Sequence, residues 1–426
     1  LNPGVLPDTL TSLHFVKTFK HKINRDTLPS SLTELQFGDA FNHELLPGTL
    51  PLGLTTLVFG AKYDCPLSRG TLPSTITSLT FGKCFEQVIE QGMLPESLLT
   101  LSLGQLFINT LQPGTLPSSL TSLTFFQTLS QDMPIHYTLQ VDQLPQSLHT
   151  LNLPTWHSQL VREWFPPTLK RLTFEGFKST LVTAELPQKL ESLVIMYESY
   201  DYYLSPQYLA IIGQLPDTIV ELKIDYCFRI TSGVFPPSLT SLYLAGGRSQ
   251  DFPPSFLPRT LTSLYLGDIL NQPRYLIKGG WPSSLKRFSI GYVVSVVNPL
   301  LVPNGLTHLE AAKIDYVMSA SIERVILKGE YDYKSYVYQP LFPLKSFSMN
   351  ARVIRYSNAR TNRQAEFIRK SVLGTPNVDD YHYKIQYGKS TDLDKVFTTH
   401  VRRMDDNHVI CIINLKNTIN FQIISL

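Results

Sequence analysis

LPSSLTSLTF, residues Leu116 to Phe125, is one copy of a phrase that returns along most of the chain. It opens at Leu6, Leu28, Leu50, Leu72, Leu94 and Leu116, a strict period of 22 residues. It continues with looser spacing at Leu144, Phe165, Leu186, Leu215, Phe235, Leu257, Trp281 and Val302. Every one of these fourteen starts is followed by proline, from Pro7 through Pro303. A fixed period of about 20 to 50 residues marks a stacked-repeat architecture, and a Leu-x-x-Leu-x-Leu core within a short period points to a leucine-rich-repeat-type solenoid.

The physics of one unit is readable from Leu28 to Gly48. Pro29 cannot donate to a ladder, so it stands before the strand and not inside it. Ser30 and Ser31 supply turn-type hydroxyls. Thr33-Glu34-Leu35-Gln36-Phe37 then alternates, which predicts a strand with Leu35 and Phe37 inward and Glu34 and Gln36 outward. Gly38 releases the chain into a bend. Phe41 and Leu45 turn inward from the opposite wall, and Pro47-Gly48 closes the coil. Twenty-two residues leave no room for a full helix on the return leg, so extended or 3-10 segments are expected there.

A single coil cannot bury its own Leu and Phe side chains and needs a neighbour on each side. Equivalent residues therefore form columns: Leu13, Leu35, Leu57, Leu79, Leu101 and Leu123, and beside them Phe15, Phe37, Phe59, Phe81, Leu103 and Phe125. Each buried Leu or Phe contributes about 1.5–3 kcal/mol. The expected fold is a β-rich solenoid of about 14 coils with a parallel sheet on its concave face. It spans residues 1–312, followed by degenerate closing coils over 313–354 and a small α+β cap over 355–426.

The unit resembles the FNIP repeat, a leucine-rich-repeat offshoot named for a Phe-Asn-x-Pro stretch after the strand. Phe41-Asn42, Tyr63-Asp64-Cys65-Pro66-Leu67 and Leu270-Asn271-Gln272-Pro273 match that stretch in part, and the Leu-Pro-x-x-Leu-x-x-Leu-x-Phe half matches better. The Leu-Pro rhythm is also similar to repeats of bacterial effector proteins. Those place an asparagine where this chain has Thr18, Ala40, Lys62 and Cys84, so their asparagine ladder is missing here. The resemblance to FNIP proteins implies a non-enzymatic scaffold for protein–protein interaction. It implies a substrate receptor for ubiquitin ligation if an F-box lies upstream.

The 426 residues are 43% hydrophobic and 17% charged, which is globular and not disordered composition. The net charge of +3 is unevenly spread. Residues 1–312 hold 20 Lys and Arg against 23 Asp and Glu, and residues 313–426 hold 17 against 11. The cysteines Cys65, Cys84, Cys227 and Cys411 form no Cys-x-x-Cys pair, and no Asn-x-Ser/Thr acceptor occurs. Both facts fit an intracellular, cytoplasmic setting. No apolar run reaches membrane-spanning length. Leu1-Asn2-Pro3-Gly4 reads as the tail of an earlier coil, so a trimmed chain is expected.

Candidate binding residues follow from position. Outward strand positions are small or polar in coils one to six. Later coils carry Arg171, Glu221, Lys223, Tyr243, Tyr265 and Arg287, types enriched at interface hot spots. The insert from Met196 to Gln214 adds Tyr197, Tyr200, Tyr202 and Tyr203, and inserts in repeat proteins map to loops on one face. A protein partner on these two surfaces is the favoured reading, with the solenoid monomeric. Beyond Val302, Ser321 to Leu327 and Leu344 to Met349 echo the strand half. Ser357 to Leu373 reads as a helix with Arg360, Arg363 and Lys370 on one face. Tyr381 to Tyr387 reads as a strand, Phe397 to Arg403 and His408 to Leu415 as a hairpin, and Ile419 to Ile424 as a last strand.

No phosphate loop, zinc-protease, kinase or serine-hydrolase motif occurs, so no catalytic, cofactor or metal residues are expected. Two alternatives stand beside this reading. The basic C-terminal unit would bind nucleic acid or anionic membrane, with the solenoid as spacer. A β-helix polysaccharide hydrolase would need paired carboxylates, and Glu34, Glu175, Glu221, Asp225 and Glu310 are too scattered for that work.

Overall fold

In the computed structural model the described residues are 3–104, 107, 111–126, 139–177, 179–196, 209–225, 228–230, 233–245, 256–266, 281–290, 305–311, 324–331, 346–353, 380–387, 396–403, 408–415 and 418–425. They fall into two compact units, residues 1–222 with 227–236, and residues 223–226 with 237–426. The insert tyrosines and the expected helix Ser357 to Leu373 lie outside the described residues.

The first unit is a parallel β-solenoid. Its front strands are β1 (Ser12–His14), β2 (Glu34–Gln36), β3 (Thr56–Val58), β4 (Ser78–Thr80), β5 (Thr100–Gly104), β6 (Ser122–Phe126), β7 (Thr150–Trp156) and β8 (Arg171–Phe177). Then follow β9 (Leu181–Val182), β10 (Ser192–Ile195), β11 (Leu209–Ile212), β12 (Glu221–Asp225) and β13 (Phe228–Arg229). β12 is divided between the two units after Leu222. Each front strand from β1 to β8 pairs in parallel with the next, Leu13 beside Leu35, Leu35 beside Leu57, and Leu123 beside Leu151. β9, β11 and β13 form a small second sheet on the return leg. The other described return-leg residues are in turns and extended chain, with 3-10 turns at Arg162–Trp164 and Thr183–Glu185. A coil of 22 residues cannot accommodate more.

The expected alternation holds. Leu35 and Phe37 are buried, Glu34 is half-buried and Gln36 is exposed. Phe41 and Leu45 meet them from the far wall, both buried. The two walls join through aromatic rings. Phe15, Phe37, Phe59 and Phe81 form one file with centroids 5.8, 5.7 and 5.4 Å apart. Phe19, Phe41, Tyr63, Phe85 and Phe107 form a second, with steps of 6.3, 6.0, 5.9 and 5.3 Å. Within each coil the files stack on each other at 3.9–4.0 Å. Ring pairs of this kind add about 0.5–1.5 kcal/mol beyond their burial.

Polar side chains tie the coils together. The second serine of the phrase does not close its own turn, as the sequence suggests. Ser31 Oγ donates to the Leu10 carbonyl, and Ser97 and Ser119 donate to Ile76 and Leu98, each at 2.7 Å. The turn itself is closed by the backbone, Leu32 N–H donating to the Pro29 carbonyl at 3.1 Å. A second file runs from Thr33 to the Thr11 carbonyl and from Thr55 to the Thr33 carbonyl, at 3.1 and 3.0 Å. A third sits on the return leg. Asn42 Oδ1 accepts the Asp64 N–H at 3.0 Å, and Asp64 Oδ1 accepts the Glu86 N–H at 2.9 Å. This short acceptor ladder lies two residues past the Ala40 and Lys62 positions, and it uses the residue after Phe41 and Tyr63.

Glycine is required at one place in the coil and favoured at another. Gly38, Gly60 and Gly82 lie so close to the preceding coil's carbonyl that a Cβ would overlap it. Gly48, Gly70, Gly92 and Gly114 carry φ near +80°, and Asp26 and Asp142 hold the same place at φ 60° and 65°. Asp tolerates that region better than most side chains.

The second unit continues the same pattern. Its strands are β14 (Ser241–Ala245), β15 (Ser263–Leu266), β16 (Arg287–Ile290), β17 (His308–Ala311), β18 (Arg324–Tyr331), β19 (Ser346–Val353), β20 (Asp380–Tyr387), β21 (Val396–Arg403), β22 (His408–Leu415) and β23 (Thr418–Ser425). β14 to β20 pair in parallel, so the echoes near Ser321 and Leu344 belong to strands of the stack. From β20 onward the pairing turns antiparallel and the chain ends as a meander. The expected strand, hairpin and last strand all fall within it.

Candidate functional site

Outward positions of the front strands carry whatever is not needed for packing. In the first unit they are mostly hydroxyls, and the charged groups are few. Ser12 Oγ donates to Glu34 Oε2 at 3.0 Å, and His14 Nε2 lies 3.2 Å from Glu34 Oε1. The hydroxyl's bond, with help from His14, holds the Glu34 carboxyl below its ordinary range. This is a serine, a histidine and an acid, but the acid touches the hydroxyl and the imidazole does not. A nucleophilic triad needs the base on the hydroxyl, so no activated serine results. Glu191 is lowered chiefly by its hydrogen bond from Lys170, which lies 2.9 Å away.

Arg171 sits exposed on the first unit's sheet, in register with Thr150 and Ser192. Glu221, also exposed, accepts the Ser192 hydroxyl at 3.0 Å. These two named positions stand on the outward face but are not in contact with each other through any bond found among the described residues.

The second unit brings three of the named residues together. Tyr243 is in register with Tyr265, and their rings stack at 4.0 Å and 1° from parallel. Lys223 Nζ lies 4.6 Å from the Tyr243 ring centroid. All three are half-buried. A cation over a ring contributes about 0.5–1 kcal/mol at such a site. Parallel in-register pairing is the cause: it sets identical positions of neighbouring coils one strand spacing apart, about 4.8 Å, which is ring-stacking distance. Arg287 is exposed one file over, beside Ser263. Lys286 flanks it, and Tyr265 is followed in its file by Ser289 and Glu310. The result is a tyrosine pair with Lys223 over one ring and Arg287 on the next coil, on a face that also carries serines, His308 and Glu310, while the Lys286 ammonium donates to the Gly305 carbonyl at 3.4 Å.

Chemistry for catalysis is not assembled among the described residues. No group of three His, Cys, Asp or Glu side chains is placed to hold a metal ion there. The free thiols Cys65 and Cys84 stand on return legs, and burial first, then Asp64 and Glu44, pushes the Cys65 thiol up. No helix among the described residues is long and apolar enough to cross a membrane.

The fold and its outward face thus define a leucine-rich-repeat-like solenoid, a protein built from stacked parallel coils. Residues 1–40, 41–84, 85–127 and 229–269 match the model of the FNIP Repeat family. Among solved structures the chain is similar to "The crystal structure of CroV588 a novel circular LRR protein structure", at 24% identity and a TM-score of 0.51. That match covers 82% of this chain, and this chain spans 58% of the other's length. No curated protein matches the sequence. Repeat solenoids of this kind commonly present extended surfaces for binding proteins.

The sequence reading missed the Asn42–Asp64 ladder. Its signal was present as the Phe-Asn stretch, but one sequence does not say that the asparagine oxygen faces the next coil.

Proposed function

We propose that this chain is a non-enzymatic scaffold that binds a protein partner through the outward face of its second unit's sheet. The observation that carries the reading is the stack Lys223–Tyr243–Tyr265. Flat aromatic side chains lose little entropy on binding and supply large contact area. Lys223 and Arg287 stand with Glu310 on this face, and Glu221 precedes Lys223 by two residues on β12, so a polar partner segment carrying charges of both signs fits it. Arg171 and Glu221 on the first unit and the insert tyrosines Tyr197, Tyr200, Tyr202 and Tyr203 are further candidates of the same type.

The test compares retained proteins. Wild type and a Lys223→Glu/Tyr243→Ala/Tyr265→Ala variant are used as bait, and affinity is then measured with the purified partner. Loss of the partner from the variant, with an unchanged thermal transition, supports the reading. An identical set of retained proteins at identical affinity overturns it.

A further inference from the structure

The first unit has an open cleft of about 540 Å³ away from the front strands. Successive coils bring Arg162, Thr183, Gln188, Gln214, Leu215 and Asp217 to it. The size lies within the range of small-molecule sites, about 300–1,000 Å³. The cleft sits where the return leg changes character, at the 3-10 turns Arg162–Trp164 and Thr183–Glu185 and past the end of β11.

Thr183, Gln188, Gln214 and Asp217 are each tied to the backbone or to one another. Thr183 is buried, and its hydroxyl donates to the Ile212 carbonyl at 3.0 Å. Gly213, which precedes Gln214, has φ +96°, and a side chain there would collide with that hydroxyl. Gln214 Nε2 donates to Asp217 Oδ1 at 3.0 Å, which orients the carboxylate. Gln188 Nε2 donates to the Leu186 carbonyl at 3.1 Å and keeps its own amide oxygen as an acceptor. Glu185 takes the backbone N–H of Arg162 at 3.0 Å, not its guanidinium. Among the described residues the Arg162 guanidinium makes no hydrogen bond, and neither Arg162 nor Asp217 takes part in an ion pair.

An exposed cation and an exposed anion therefore line one cleft and form no ion pair with each other. We propose that this cleft binds a small zwitterion of the α-amino acid class. The ligand carboxylate meets the Arg162 guanidinium, whose fork matches a carboxylate's two oxygens. The ligand ammonium meets Asp217 and the Gln188 amide oxygen. A simple anion is repelled by Asp217, and a simple cation by Arg162. Only a ligand with both charges gains from both walls.

The experiment uses the full chain and ligand-observed saturation-transfer NMR, with calorimetry for affinity. Glycine, L-serine and L-glutamine are each compared with their N-acetyl derivatives, which lack the ammonium, and their methyl esters, which lack the carboxylate. The expected result is saturable binding of at least one free amino acid, with both derivatives weaker by about tenfold or more. Arg162→Gln removes the binding. Asp217→Asn weakens the free amino acid and narrows its advantage over the N-acetyl form. Both side chains are exposed, and an unchanged thermal transition verifies the fold. No saturable binding at millimolar concentration, equal binding of the N-acetyl form, or wild-type binding by both variants overturns the proposal.

Discussion

Gly60 packs against the carbonyl oxygen of Gly38 so closely that no side chain fits between them. Gly82 stands in the same relation to Gly60, and Gly38 to the carbonyl of Val16. Backbone meets backbone at this corner of the coil, so neither side can yield by changing a rotamer. Gly60→Ala is expected to lower stability by about 1–3 kcal/mol, the usual cost of overpacking. Gly53→Ala is the control, since a Cβ there meets only the Ser30 carbonyl, at 3.5 Å. It should shift stability by no more than about 0.5 kcal/mol. Urea unfolding curves of the two variants make the comparison.

Gly53 also occupies the place where Ser31, Thr75, Ser97 and Ser119 clip one coil to the coil before. Coil three lacks that clip. Gly53→Ser supplies a hydroxyl within reach of the Leu32 carbonyl and removes a flexible residue from the unfolded chain. A gain of about 1 kcal/mol is expected. The matching loss in Ser97→Ala, of similar size, shows whether the clip or the glycine is responsible.

Tyr63 is fully buried in the ring file, and its hydroxyl has no hydrogen-bond partner among the described residues. Burial first, then Cys65 and Glu44, pushes its ionisation up from the ordinary tyrosine value. Tyr63→Phe keeps the stack and removes the unpaired group, so it should stabilise by about 1 kcal/mol. The sign with pH follows from the raised value. The unfolded chain releases this proton near pH 10 and the folded one does not. Stability is therefore intact below about pH 10 and falls as pH rises beyond it. The alkaline limb of the stability profile should be shallower in Tyr63→Phe.

Glu34 behaves oppositely, because its carboxyl is lowered by the Ser12 hydroxyl and then by His14. Its contribution is present above the ordinary glutamate value and is lost as pH falls through the folded one. In a carboxyl NMR titration Glu34 should titrate below free glutamate. Ser12→Ala should move it back further than His14→Ala does. Equal effects of the two would contradict the order of causes.

Much of the fold was legible because the repeat makes the same statement many times. The Leu13 and Phe15 columns are where alternation and a 22-residue period place them. Other roles are only partly visible in single residues. Gly38 does open a turn, closed by the Phe41 N–H on its carbonyl at 3.1 Å, but the need for glycine comes from the neighbouring carbonyl, a distance that no local pattern encodes. Ser31 resembled a turn hydroxyl, and only the stack shows its acceptor in another coil. The site was legible in part. Tyr243 and Tyr265 stood out by position, but their stacking, and Lys223 against Tyr243, depend on strand register. The insert tyrosines, Tyr197 to Tyr203, lie outside the described residues.

Thr55 bonds Thr33, and Asp64 bonds Asn42, each at a separation of 22 residues. The bond that joins two coils is thus the same bond that joins the next two. An in-frame duplication or loss of one whole block between Gly38 and Gly82 would leave every neighbour meeting a familiar surface. A gain of a single residue would put every clip, ring and glycine out of step. The stack can therefore change length in jumps of one coil without remaking its core.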